Sequence, residues 1–517
     1  MKTYLGIEFG STRIKAVLID DKGNVICSGG YEWENKLTDG LWSYDLIDVI
    51  TGMQASYAEL NKEYAAKYKK NISKLDGIGI SAMMHGYLAF DEDYNLLTPF
   101  RTWRNTNTAA AAEELSELLY FNMPQRWSGS HYYQAVLNKE THAQSIAHLH
   151  TLASFVHYVL TGKNVIGVGD ASGMFPISGN DYDKDRIVKY NALLKKHGIE
   201  KDLYELLPKV LLAGDDAGTL TKVGAMLLDP SGNLQEGAPL CPPEGDAGTG
   251  MVATNAVKEC TGNVSAGTSA FTMVVLKESL KNVYREIDVV TTPAGKPVAM
   301  VHVNNCTSEI NAWASMFAEV ISLAGGSISK GELFTKLFNI SRESDDDTGG
   351  FTGYNFLSGE PIAGTECGVP LVMRESDGKA TLANFMQMQI YSALAALRMG
   401  MEILEKENVQ VERMCGHGGF FKTEFIGQNA MSAAVNAPVT VMKNAGEGGA
   451  WGIALLALYA ASVKNKGTLE EFLDGIFSNS EKSTVSASQE EKEKFAKFMR
   501  RYKQNLMIEQ AAARSRK

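Results

Sequence analysis

Two stretches half a chain apart share one layout. Leu5 to Ile19 (LGIEFGSTRIKAVLI) and Gly262 to Val275 (GNVSAGTSAFTMVV) each read as an apolar strand, a turn built on Gly with Ser or Thr, and a second apolar strand. A hairpin repeated at the start of each half predicts two related units, each opening on its own sheet. For 517 residues, average domain size alone suggests about three domains. The repeat reduces that to two, and the glycine-bearing segment Pro242 to Gly250 (PPEGDAGTG) is the natural boundary. The expected division is therefore 1–250, 251–465 and a C-terminal helical extension over 466–517.

Periodicity fills in the rest. Residues 4–34 read as a three-stranded meander, 45–70 as an amphipathic helix and 75–84 as a buried strand running into a loop. A long helix is expected over 139–160, carrying His142, His148, His150 and His157, with no metal-ligand spacing among them. Further helices are expected over 382–407, 424–435, 448–463 and 488–512.

Charge and cysteine content exclude several function classes. Fifty basic against sixty acidic residues give a net charge of −10, so no overall positive field exists to hold nucleic acid. The six cysteines are scattered and never form CxxC, which speaks against a zinc knuckle or a disulfide framework and for reduced thiols in the cytoplasm. Trp451 to Ala461, the longest apolar run, is too short to span a bilayer. The expectation is a cytoplasmic protein with no membrane or nucleic-acid partner.

The repeated turns also suggest chemistry. Backbone amides and hydroxyls of Gly10, Ser11 and Thr12, with Lys15 on the next strand, suit phosphate oxygens, and Glu8 suits a magnesium ion held through water. Alone, that turn reads equally well as an ordinary hairpin. Its second copy at Gly267-Thr268 points to a phosphate clamp and hence to a nucleotide between two domains. Neither GxxxxGK[ST] nor GxGxxG after a strand occurs, so P-loop and Rossmann sites are not supported. Asp246, in the glycine-lined boundary, is the candidate general base for a substrate hydroxyl, against the alternative of an Asp that only stabilises its own turn. Gly418-Gly419 lets bare backbone approach an adenine or ribose, or else begins a helix. The glycines of Gly446-Glu447-Gly448-Gly449 suit close helix packing. Met84-His85 and Trp103-Arg104-Asn105 combine an imidazole, an aromatic face and amide groups that suit a polyol; the alternatives are an isolated satisfied histidine for the first and a surface turn for the second.

In this order the motifs resemble the FGGY carbohydrate kinases, a branch of the superfamily that includes heat-shock ATPases and actin, and within them most resemble xylulokinases. Met84-His85-Gly86 is similar to their substrate loop, Leu160-Thr161-Gly162 and Asp170-Ala171-Ser172 to a stretch of their first domain, and Gly245-Asp246 to the pair that bears their base. Gly10 to Thr12 and Gly267-Thr268 correspond to the two phosphate turns and Gly418-Gly419 to the adenosine site. The resemblance implies an α/β fold of two actin-like (ribonuclease H-like) domains, each a mixed five-stranded sheet with helices, closing an ATP cleft between them. It implies ATP and Mg²⁺ as cofactors, a small sugar or polyol as partner, and a homodimer. The implied activity is phosphorylation of a sugar hydroxyl, most similar to that of a pentulose such as xylulose, with Asp246 as base and Glu8 and Asp246 at the metal.

Two departures stand out. Glu8 replaces the family's Asp, and Asn105 and Asn107 stand where many members carry the charged residues of Trp-x-Asp-x-Arg. Other ketoses or polyols are the alternative substrates. A chaperone-like or activase ATPase and a weakly catalytic sugar sensor are the alternative functions on the same fold.

Overall fold

The structure, a computed structural model, describes residues 1–423, 425–442 and 448–516, with the backbone alone at 463–466. The chain forms two compact units, and neither is a simple half. Unit 1 comprises Met1–Lys258, Asp288–Val298 and Gly446–Ser480; unit 2 comprises Glu259–Ile287, Ala299–Ala445 and Glu481–Lys517. The expected extension over 466–517 is thus divided between the two rather than standing apart.

In unit 1 the strands β1 (Tyr4–Phe9), β2 (Arg13–Ile19), β3 (Val25–Glu32), β4 (Gly77–Ala82) and β5 (Glu244–Gly245) form one five-stranded sheet in the order β5-β4-β1-β2-β3. β1 runs antiparallel to β2 and parallel to β4, which places Glu8 opposite Lys15 on one side and Ser81 on the other. β5 runs parallel to β4, so the ends of β1, β4 and β5 open on the same edge. In sheets of this kind that edge is where ligands bind. Helix Leu46–Tyr68 starts where the Asp45 carboxylate accepts the Ile47 N–H and ends at Lys69 in the left-handed region. It buries Val49, Met53, Tyr57 and Leu60 in the core of the unit. Helix Gly448–Lys466 packs so closely on the sheet that a Cβ at Gly6 would lie 2.1 Å from the Ala450 carbonyl oxygen. Glycine is required there by space.

Unit 2 repeats the hairpin as β6 (Thr261–Ala266) and β7 (Ala270–Val275), and continues through β8 (Arg413–His417), β9 (Val439–Met442) and β10 (Lys482–Val485). These belong to a sheet of seven strands, where five were expected; β10 of the C-terminal segment supplies one of the two added strands, antiparallel to β9. Helices Leu382–Lys406 and Gln489–Arg514 seal its core through Tyr391, Leu394, Phe495, Phe498 and Tyr502.

The helix expected over 139–160 does not form as one element. Residues Thr141–Gln144 are a 3₁₀ turn, His148–His150 a short strand, and only Leu152–Thr161 is helical, capped by Thr151. His150 and Ser154 bond to each other instead of continuing the helix. The segment read as the turn Pro242 to Gly250 is β5 followed directly by helix Asp246–Ala253. The helix begun at Glu424 in the sequence reading starts at Ile426, and Glu424, like Gly446-Glu447 of the glycine run, lies outside the described residues.

Candidate active site

The first turn is held by its carbonyls. The Trp33 indole N–H donates to the Gly10 oxygen at 2.7 Å, the Tyr44 hydroxyl to the Ser11 oxygen at 2.6 Å, and the Trp33 amide to the Thr12 oxygen at 3.1 Å. Trp33 and Tyr44 stack with ring centroids 4.1 Å apart, so one rigid aromatic pair fixes the turn from behind. With its three carbonyls engaged and the Gly10 amide given to the Arg13 oxygen at 3.0 Å, the turn keeps the amides and hydroxyls of Ser11 and Thr12 for an anion. Lys15 sits opposite Glu8 in the ladder.

Asp246 is the first residue of helix Asp246–Ala253, at the end of β5. Its Oδ1 accepts the backbone N–H of Met84 at 3.0 Å, which ties the base candidate directly to the Met84-His85 loop at the end of β4. Burial pushes its carboxyl above the ordinary range, while the Met84 and helix amides oppose that shift. Thr249, one turn along the helix, shares a 3.0 Å hydrogen bond with Ser81 of β4 and so anchors the helix start on the sheet.

Glu8 approaches from β1. Its Oε2 accepts the Ala450 N–H at 3.1 Å, and a Cβ at Gly449 would lie 2.2 Å from Oε1, so the carboxylate is clamped against the first turn of helix Gly448–Lys466. Burial first, and Asp246 second, push Glu8 up to about 7, against the pull of the Ala450 amide and Lys15. Among the described residues no set of three or more His, Cys, Asp or Glu is arranged to hold a metal ion. Mg²⁺ beside a nucleotide uses only one or two carboxylates, with phosphates and water completing its shell. Glu8 and Asp246 fit that requirement, because two buried carboxyls that raise one another's cost of ionisation are eased by a cation.

Two further carboxyls belong to this edge. Glu244 accepts the amides of Gly169 (3.3 Å) and Asp170 (3.0 Å), and burial followed by the Asp170 charge pushes it up to about 8. Asp170 takes the Thr151 hydroxyl on Oδ2 at 2.6 Å, while its Oδ1 has no hydrogen-bond partner; burial pushes it up to about 7. Sequence reading passed over Glu244, whose only signal was its place directly before Gly245-Asp246.

Met84 and His85 border the same place. A Cβ at Gly245 would lie 2.8 Å from Met84 Cγ and 3.2 Å from Asp170 Oδ1, and one at Gly173 would lie 2.7 Å from His85 Nδ1. His85, at φ 70°, is stacked on Trp127 with centroids 6.2 Å apart, and the Trp127 indole N–H is buried without an acceptor. Trp127 was not foreseen. The loop at 103–105 behaves differently from expectation. Asn105 is 3% exposed and spends its amide on the chain itself, accepting from Trp42 N–H (2.9 Å) and donating to the Trp42 and Thr102 carbonyls (2.8 and 3.0 Å). The Arg104 guanidinium lies over the Trp42 ring at 3.9 Å, and Trp103 is 37% exposed. Asn105 thus acts as a brace of its loop.

Unit 2 repeats the logic of the first turn. The Gly267 oxygen accepts the amide and hydroxyl of Thr307 at 3.0 and 2.7 Å, and the Thr268 oxygen accepts the Cys306 amide at 2.8 Å. Again the turn's carbonyls are engaged. Gly418 follows β8 at φ 105°, where a Cβ would lie 2.4 Å from the Ala266 oxygen, so this glycine brings its loop onto the end of β6 beside Gly267. Gly419 has open space where its Cβ would be. A backbone left bare with nothing above it is available to a flat ligand.

Comparison with known proteins finds two family models along the chain. Residues 3–230 match the model of the FGGY family of carbohydrate kinases, N-terminal domain, and residues 262–461 that of its C-terminal domain. The xylulose kinase of Haemophilus influenzae is 22% identical over 480 residues, covering 88% of this chain and 90% of that protein. The L-fuculokinase of Escherichia coli K12 is 22% identical over 241 residues, covering 44% of this chain and 48% of that protein. The crystal structure of ligand-bound xylulose kinase from Lactobacillus acidophilus superposes with a TM-score of 0.79 at 16% identity, over 99% of this chain and 100% of that one. Among the described residues, no helix is long and apolar enough to cross a membrane.

Proposed function

The chain belongs to the FGGY family of carbohydrate kinases, and from that premise we propose that it phosphorylates a terminal hydroxyl of a pentulose such as xylulose at the expense of ATP. The observation that carries this reading is the 3.0 Å bond from Met84 N–H to Asp246 Oδ1, which locks a buried carboxylate to the loop where a sugar would lie. In the proposed step Asp246 takes the hydroxyl proton as that oxygen bonds to the γ-phosphorus, and the bond from phosphorus to the β-phosphate oxygen breaks to release ADP. A carboxyl whose pKa is raised by burial holds that proton better than an exposed one, which suits a general base. Phosphoryl transfer otherwise asks for positioning and charge neutralisation. Gly10, Ser11, Thr12, Lys15, Gly267, Thr268, Gly418 and Gly419 would contact the nucleotide. Glu8 and Asp246 would hold Mg²⁺, which supplies charge neutralisation at the phosphates.

Sugar recognition falls to Met84, His85, Trp127 and Asp170, with Trp103 and Arg104 at the rim. The unsatisfied Asp170 Oδ1 and Trp127 N–H are an acceptor and a donor kept dry for hydroxyls. Because Asn105 is committed to its own loop, another ketose such as fuculose is the second reading. Phosphoryl transfer to the acceptor, followed by ³¹P NMR over xylulose, ribulose, fuculose, gluconate and glycerol, tests the assignment. The expected outcome is the highest kcat/KM for xylulose; a higher value for any other compound replaces it.

A further inference from the structure

We propose that Tyr87, Arg101, Glu140 and His142 form a clamp inside unit 1 that positions the sugar loop, with the Tyr87–His142 hydrogen bond at its centre. They are positioning residues, acting through Met84 and His85 rather than on the sugar, and the proposal rests on the sugar site described above. The loop needs holding because its backbone is strained. His85 and Gly86 take φ of 70° and 107°, two consecutive left-handed residues of which only the second is glycine. Such a conformation lasts only where its surroundings enforce it. On the N-terminal side the fastening is the bond from the Met84 N–H to Asp246. Gly86 itself is held by its backbone, accepting the Ser128 hydroxyl at 2.6 Å and donating to the Arg126 oxygen at 3.3 Å. On the C-terminal side the fastening is Tyr87, whose backbone forms an isolated antiparallel bridge with Arg101: its N–H donates at 2.9 Å and its oxygen accepts at 3.2 Å.

The side chains close a ring of contacts on that bridge. The Tyr87 hydroxyl and His142 Nε2 lie 2.9 Å apart, with both residues buried. Glu140 Oε2 stands 3.5 Å from His142 Nδ1, which favours a proton on Nδ1 and leaves Nε2 to accept from the phenol. Glu140 also pairs with both terminal nitrogens of Arg101. The Arg101 guanidinium returns to lie over the Tyr87 ring at 5.3 Å, and His131 stacks on the same ring with centroids 5.9 Å apart. Tyr87 is thus held at its backbone, its ring and its hydroxyl. Because the hydroxyl and its acceptor are buried, loss of either one leaves the other without a partner and without water.

The clamp stands at the base of two loops. Residues 84–86 run directly into Tyr87, and residues 103–105 begin two positions after Arg101. Both loops carry side chains assigned above to the sugar or its rim, so one backbone bridge sets the spacing between them. Contact with Arg101 is close as well, since a Cβ at Gly86 would lie 3.1 Å from the Arg101 oxygen. Helix Ser128–Leu137 frames the assembly. Trp127 and Ser128 at its start hold His85 and Gly86, and Glu140 and His142 just beyond its end hold Arg101 and Tyr87.

The test is steady-state kinetics of the full chain with Mg²⁺, using whichever of xylulose, ribulose, fuculose, gluconate and glycerol the wild type phosphorylates best. Tyr87→Phe and His142→Leu are each expected to raise KM for that acceptor about tenfold, with KM for ATP and the sugar-free rate of ATP hydrolysis unchanged. The double variant is expected to match the worse single one, because both substitutions remove the same bond. His142→Gln, whose side-chain oxygen can still accept from the phenol, is expected within about twofold of wild type. A merely structural role would lower the folded fraction, and with it the apparent kcat, without moving KM. The proposal is overturned if Tyr87→Phe leaves KM for the acceptor where it was, if KM for ATP rises in step with it, if the two single effects multiply in the double variant, or if His142→Gln behaves as His142→Leu does. Wild-type turnover with unmoved variants removes the clamp alone; a wild type that phosphorylates none of these compounds removes the kinase reading and the clamp with it.

Discussion

The backbone N–H of Met84 and Oδ1 of Asp246 meet at 3.0 Å, so the loop that would hold the sugar and the carboxylate that would take its proton move as one piece. The pairing uses a main-chain donor, so substitution of the Met84 side chain leaves it in place, and the consequences of disturbing it are read from the carboxylate side.

Rate should fall on the acid side well above the usual carboxylate range. Asp246 must be ionised to accept a proton, its pKa is raised by burial, and Glu8 beside it retains its proton up to about pH 7. Such neighbours titrate as a pair. The expected kcat/KM declines with falling pH while still above the ordinary carboxylate range, as Asp246 and Glu8 take up protons. Glu8→Gln removes a like charge and moves that decline to lower pH while raising the Mg²⁺ needed for half-maximal rate. A pH profile unchanged by Glu8→Gln would separate the two groups.

Glu244 makes stability depend on pH in a defined direction. Its carboxyl is raised to about 8 in the folded chain, so the folded state holds a proton that the unfolded state gives up. That contribution is complete below pH about 4.5 and is lost as pH rises through about 8. Chemical denaturation of the metal-free protein should show stability decreasing from pH 5 to pH 9, with Glu244 contributing on the order of a few kcal/mol. Glu244→Gln should flatten the slope; an equal slope in the variant would rule Glu244 out as its source.

Gly418 and Gly419 should separate structure from ligand contact. Gly418→Ala places a Cβ 2.4 Å from the Ala266 oxygen at a φ of 105°, and should cost about 1–3 kcal/mol along with a raised KM for ATP. Gly419→Ala meets open space, so its Tm should stay within a degree or two of wild type. If Gly419 touches the nucleotide, KM for ATP rises in that variant with no loss of stability. An unchanged KM removes Gly419 from the site.

Asn105 and Trp127 should exchange the roles that sequence suggested. Asn105→Ala breaks three hydrogen bonds to backbone and should lower stability by about 1–3 kcal/mol, with no change in the ranking of sugars. Trp127→Phe keeps an aromatic ring against His85 but removes the buried N–H, and should raise KM for the preferred sugar about tenfold or more. Kinetics over the sugar panel distinguishes the two.

Much of this architecture was visible in the chain because it depends on local patterns. The hairpins around Gly10 and Gly267, the strand before Met84 and the helix from Leu382 are short-range features, and each formed where the residues indicated. What could not be read were relations over long sequence distances. Nothing near Glu8 reveals that Ala450 will present its amide to it, and nothing near Asn105 reveals that Trp42 will absorb its side chain. The mistaken helix over 139–160 has the same origin: its apolar spacing is helical, but pairing of His148–His150 with Leu88–Phe90 wins a strand there. The fifth strand of one sheet, Glu244–Gly245, is two residues long and carries no periodic signal, yet it positions the base.

The most direct test of the whole account is ADP formation by wild type and Asp246→Asn, with saturating ATP and Mg²⁺, as xylulose is added. A positioned general base contributes about 10²- to 10⁴-fold. The account predicts that xylulose accelerates wild-type turnover far above the sugar-free rate, while Asp246→Asn binds ATP with near-normal affinity and loses that acceleration. Equal sugar-stimulated turnover in the two proteins would contradict it.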